Sequence, residues 1–216
     1  MKNLVNLFFS FLLMSCSILD KKNIAPGYQE AYKAITNYFL ADEDALITPE
    51  LISTIPYASA SLRIGRGSAG LVILESINDN QTTWVSADGV YITLNESGRI
   101  IKTIGLPNNL NSVVANKDLL SQNNLVVTNY YSYDHPKLNF LPIRSSFRVK
   151  EKSKVEILNQ TLNVTLIEEK ISNDYLGWKA VNKFWIDENN FTLKSEQNIS
   201  PKLPTFYLTI TKKPAH

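Results

Sequence analysis

From Tyr57 to the C-terminus the apolar residues come in short runs, nearly all bounded by Asn, Asp, Ser, Gly or Pro. A half-buried strand repeats its side-chain pattern every two residues and a helix every 3.6, so a chain patterned this way folds as antiparallel sheet. Strand candidates cover 59–64, 71–74, 83–86, 90–94 and 99–104, then 125–133, 140–150, 155–158, 162–169, 178–186, 191–197 and 206–211. Asp88-Gly89 and Ser97-Gly98 are hairpin turns, because glycine accepts the positive φ that a tight loop demands. Asp187-Glu188-Asn189-Asn190 is a further polar turn.

The front of the chain reads differently. Lys2 precedes an apolar run from Leu4 to Met14, and Leu13-Met14-Ser15-Cys16 closes it with the chain's one cysteine. A charged head, a short apolar core and a small residue before the cleavage point describe a lipoprotein signal at 1–15, with Cys16 acylated as the mature N-terminus. The apolar run is too short to span a bilayer, since eleven helical residues reach only ~16 Å. Several acyl chains together give stable anchoring. Ser17, in place of an aspartate after the cysteine, favours the outer membrane. Residues 16–25 form a polar tether. Pro26, with Tyr28, Tyr32, Ile35 and Phe39 on one face, predicts a helix over 26–40. Thr48-Pro49-Glu50 predicts an N-capped helical turn that Pro56 ends. Helix is thus confined to the front of one domain, 26–216, and the rest is β.

Composition narrows the function. There are 22 Lys and Arg against 20 Asp and Glu, and no clustering of basic residues of the kind a nucleic-acid footprint needs. Without a second cysteine no intrachain disulfide forms, so packing alone stabilises the fold. Gly65-Arg66-Gly67-Ser68-Ala69-Gly70 has dinucleotide-fingerprint spacing, but a β-branched run follows at once where a helix is required, so it reads as a strand connection. Asp134-His135-Pro136 is a loop with no nucleophile elbow elsewhere, and His216 is terminal. Asp42, Glu43 and Asp44 are a solvated loop, and no spacing suits zinc. No catalytic, cofactor or metal residues are expected. Trp84, Trp178 and Trp185 serve either a β core or a sugar-stacking surface.

Two blocks resemble the GfcB/YjbF family of lipoproteins, associated with group 4 capsule and exopolysaccharide. The first runs from Ile55-Pro56-Tyr57-Ala58-Ser59 through Arg63-Ile64-Gly65 and Trp84-Val85-Ser86-Ala87-Asp88-Gly89-Val90 to Gly105-Leu106-Pro107. The second holds Asn182-Lys183-Phe184-Trp185-Ile186-Asp187, Lys194-Ser195-Glu196-Gln197, Pro201 and Lys213-Pro214. The resemblance implies a curved antiparallel sheet or incomplete β-barrel packed around the helix and the short helical turn. It also implies an outer-membrane lipoprotein facing the periplasm, with polysaccharide export proteins or glycan as partners and no nucleic acid. Tyr57, Trp84, Asp88 and Arg99 match its pattern and are the candidate interaction surface. The expected role is non-enzymatic help in polysaccharide secretion or assembly. The alternatives are a half-barrel carrier of lipid or acyl chains, which needs an apolar cavity, and a polysaccharide-modifying enzyme, which needs two facing carboxylates.

Overall fold

The computed structural model of the chain describes residues 47–115 and 125–214. Cys16, the helix expected over 26–40, the acidic trio and His216 lie outside the described residues.

Among the described residues there is one short helix, α1 (Pro49–Thr54), which begins as its sequence dictates: Thr48 is extended, and its hydroxyl accepts from Leu51 N at 3.3 Å. Twelve strands follow: β1 (Ser59–Ile64), β2 (Gly70–Asn78), β3 (Gln81–Ser86), β4 (Tyr91–Leu94), β5 (Ile100–Ile104), β6 (Leu110–Val114), β7 (Val126–Tyr133), β8 (Leu138–Ile157), β9 (Gln160–Asn173), β10 (Trp178–Ile186), β11 (Thr192–Gln197) and β12 (Phe206–Lys212). All pairings are antiparallel, in the order β5-β4-β3-β2-β1-β12-β11-β10-β9-β8-β7-β6. The two end strands, β5 and β6, lie against each other, so the sheet curls into a nearly closed barrel. This is the mainly β, incomplete-barrel architecture expected.

Alternation decides the inside. Ala60, Leu62, Val72, Trp84, Ile92, Ile143, Ile171 and Phe206 share one core cluster drawn from strands all round the sheet. That cluster fills the interior with side chains. Of the described helix, none enters it: Ile52 and Ile55 of α1 pack with Leu71 and Ile73, whose side chains point away from that of Val72. The described helical turn therefore clads the barrel's outside.

Several strands outrun their expected bounds, β2 (70–78 against 71–74) and β9 (160–173 against 162–169) among them, and two depart further. The runs 140–150 and 155–158 are one strand, β8, because the charged stretch between them stays extended with a register shift between Val149 and Lys152. Such a bulge adds bend and twist. The end of the β8–β9 hairpin accordingly folds back, packing Val155, Ile157 and Val164 with Leu193, and its tip residue Leu158 also meets the α1 cluster. Strand β6 had no candidate, since Leu110 is its only buried residue.

Antiparallel order gives the barrel two rims. The turns at 65–69, 87–90, 105–109, 134–137 and 174–177 occupy the first; those at 79–80, 95–99 and 187–191 occupy the second, beside α1.

Candidate functional site

The four residues expected to form a surface do not share one. Trp84 and Arg99 are each 1% exposed, Tyr57 is half-buried against the α1 cluster, and only Asp88 is exposed. Trp84 belongs to the core because its strand position faces inward, and its Nε1 donates to Thr82 Oγ1 at 2.9 Å. Asp88 accepts from the Ser86 hydroxyl within the β3–β4 turn. Arg99 corrects the expectation most usefully, since an arginine facing inward must be paired.

Its placement begins at the β4–β5 turn. Gly98 has φ +76°, and a Cβ there would lie 2.6 Å from Thr192 Cβ, so glycine permits the turn to close on β11. Gln197 holds the turn from across the interior: its Nε2 donates to Gly98 O at 2.8 Å and its Oε1 accepts from Ile100 N at 2.9 Å. Thr192 Oγ1 adds a bond to Ser97 O at 2.8 Å. Arg99, fixed between these contacts, places Nη1 2.9 Å from Glu169 Oε2 on β9, and Glu169 is fully buried. Asn182 Nδ2 donates to the same oxygen at 2.9 Å, while the guanidinium carbon lies 5.9 and 5.6 Å from the ring centroids of Phe147 and Phe184. A carboxylate held by a cation and an amide behind aromatic walls is suited to bracing the barrel, not to exchanging protons with a substrate. Nearby, burial and then Tyr131 push the Tyr133 phenol well up, so it stays neutral and donates to Ile199 O at 2.7 Å.

Two grooves lie at the second rim, and a further recess of about 590 Å³ on the outer face of β8–β10 is lined by Arg144, Lys170 and Lys179. A groove of about 730 Å³ is lined by Trp84, Leu94, Phe191 and Ile210, with Asn95 and Lys213 among its polar members. A second, of about 490 Å³, runs beneath the folded-back hairpin and shares Asn189, Ile210 and Lys213 with the first. Asp187 lies beside them. Burial disfavours its charge, but Lys213 Nζ at 2.6 Å and the N–H groups of Phe191 and Asn189 outweigh that and hold its carboxyl below the ordinary value. Among the described residues, no three His, Cys, Asp or Glu side chains are grouped to hold a metal ion. His135 is 81% exposed in a first-rim turn, next to Asp134. The six-residue glycine segment joins β1 to β2, as a strand connection should.

Sequence reasoning missed Glu169, Asn182 and Gln197. Each occupies an ordinary alternating position, and nothing local marks a partner that is 70 residues away, as Glu169 is from Arg99.

The sequence profile described as "Group 4 capsule polysaccharide lipoprotein gfcB, YjbF" matches residues 32–211. The chain belongs to this family. Among curated relatives it is 24% identical to the uncharacterized lipoprotein YjbF of Escherichia coli K12 over 204 residues, 91% of either chain. It is likewise 24% identical to the uncharacterized lipoprotein GfcB of the same organism over 154 residues, 68% of this chain and 71% of that one. The fold matches the crystal structure of the hypothetical lipoprotein YmcC from Escherichia coli K12, with a TM-score of 0.76 at 20% identity, covering 89% of this chain and 97% of that one. The relatives' names make this a family of lipoproteins, proteins held to a membrane.

Proposed function

We propose that the chain is an outer-membrane lipoprotein, anchored through acylated Cys16 and facing the periplasm, that assists secretion or assembly of a surface polysaccharide by contact and not by catalysis. The family match over 32–211 carries this reading. The geometry supports a binding role. Glu169 is sealed within the barrel, and Asp187 is engaged by Lys213 and two backbone N–H groups, so neither is arranged as a free catalytic acid. Side chains pack most of the interior, but the second-rim groove over Trp84, Leu94 and Ile210 has the size and apolar lining that an acyl-chain carrier requires, so carriage of a lipid chain is the second reading. The second-rim groove, with an apolar floor and Asn80, Asn95 and Asn189 among its lining, offers a surface to glycan or to an export protein.

The test is deletion of the gene with complementation by the wild-type chain or Cys16→Ser. Deletion lowers surface polysaccharide, the wild-type chain restores it, and Cys16→Ser, which is neither acylated nor processed at residue 16, does not restore it. Unchanged polysaccharide on deletion, under conditions where the protein is made, overturns the reading.

A further inference from the structure

The outer face of β8–β10 is charged in a patterned way. One register row reads Arg148, Glu168, Lys183, Glu196 across four strands, with Lys183 Nζ 3.2 Å from Glu196 and Lys150 Nζ 3.0 Å from Glu168. Cations and carboxylates alternate there and neutralise one another. The next two rows toward the first rim break the pattern: Ser146 pairs with Lys170, and Arg144, Ser172 and Lys179 stand in line. On β9, where the neutral row has Glu168, these rows have Lys170 and Ser172, so neither supplies a carboxylate. Arg144, Lys170 and Lys179 are all exposed, and among the described residues no ion pair engages them.

Beyond these cations, the part of the first rim next to β8–β10 exposes large apolar tips among polar turn residues, one of them the exposed carboxylate Asp174. Tyr175 is 88% exposed and Phe140 66%, with Leu176 beside Tyr175 in the β9–β10 turn and Tyr130 exposed on β7. Single exposed apolar residues are ordinary, but a group of them at one rim is not. Apolar and aromatic tips backed by a belt of cations match an anionic lipid surface: the tips enter the boundary between headgroups and acyl chains, and the cations meet the phosphates. An acidic glycan in solution gives the cations a partner but leaves Phe140 and Leu176 in water.

We propose that the first rim, through Phe140, Tyr175 and Leu176 with Arg144, Lys170 and Lys179 behind them, rests on an anionic membrane surface. This contact is additional to the lipid anchor and sets the barrel's orientation. Cys16 is 31 positions before Ile47, a stretch whose fully extended reach is at most ~110 Å. With the first rim down, the second-rim grooves face away from the lipid.

The test removes the anchor and watches the rim. The mature-length chain, residues 16–216 with Cys16→Ser and Tyr175→Cys, receives an environment-sensitive fluorophore at that one thiol and is titrated with vesicles. The vesicles are either phosphatidylcholine with one-quarter phosphatidylglycerol or phosphatidylcholine alone. A matched protein carries the label at Glu188→Cys on the opposite rim. The label at residue 175 shifts to the blue with anionic vesicles, much less with neutral ones, and the label at residue 188 does not shift. Each cation contributes about fivefold to binding at low salt, so Arg144→Gln, Lys170→Gln and Lys179→Gln together weaken it roughly a hundredfold. Lys183→Gln, in the neutral row, leaves it within about twofold. Phe140→Ser with Leu176→Ser abolishes the blue shift. The proposal falls if anionic vesicles give no shift at residue 175, if the triple variant binds them as well as its parent, or if soluble alginate reproduces the shift. None of these results bears on whether deletion alters polysaccharide, so the functional reading stands or falls separately.

Discussion

Removing Glu169 tests the brace inside the barrel. In Glu169→Ala the Arg99 guanidinium loses the carboxylate 2.9 Å away at a site where the two side chains are 1% and 0% exposed. Truncating one member of a buried pair costs about 3–5 kcal/mol, because the charge left behind has neither water nor a counter-ion. For a domain of this size each kcal/mol lowers Tm by about 2–4 °C, so a fall of about 6–20 °C is expected. Replacing both members with apolar residues of similar volume, Arg99→Met with Glu169→Leu, removes the uncompensated charge and recovers most of the loss. Asn182→Leu removes the bond to the charged Glu169, about 1.5–3 kcal/mol, and also the bond its Oδ1 accepts from Asn198 N at 2.7 Å, so it costs at least that much. Urea unfolding followed by circular dichroism measures all three. A single variant within 1 kcal/mol of wild type, or a double variant worse than the single, refutes the claim that this pair is sealed from solvent.

Gly98→Ala forces a left-handed backbone on alanine and brings its Cβ against Thr192, costing about 2–4 kcal/mol in the same unfolding assay; Gly89→Ala, with open space at its Cβ position, bears the backbone part alone and is milder. Asp187 has its folded pKa below the unfolded value of about 3.8, so its contribution is present above that pH and disappears as pH falls through the folded value. Asp187→Asn is therefore less stable than wild type at pH 7, and the difference closes in acid. Leu158→Asp places a charge where the hairpin tip meets α1, and limited proteolysis then cuts within 150–163 much faster than in wild type.

Much of the barrel was legible because half-buried strands advertise themselves. Ser59 to Ile64, Trp178 to Ile186 and Phe206 to Lys212 alternate clearly, and the Asp88-Gly89 and Ser97-Gly98 turns specify their hairpins. The misses also have physical causes. Lys150-Glu151-Lys152-Ser153-Lys154 looks like a break because the strand there carries charge on both faces, and β6 is hidden because little of it is buried. Trp84 and Arg99 stood out by type and by family pattern, but which way a side chain points depends on register. The Arg99–Glu169 pair and the unpaired cations of the first-rim face exist only after distant strands have aligned. No local signal encodes them.

β12 lies between β1 and β11 at the middle of the sheet, so the first strand and the last are hydrogen-bonded neighbours. A polypeptide delivered from its N-terminus therefore carries two half-sheets with raw edges until residues 206–212 arrive to join them. Closure of the described sheet waits on the arrival of β12. Clipping that last segment should leave sticky, protease-sensitive halves instead of a slightly smaller protein.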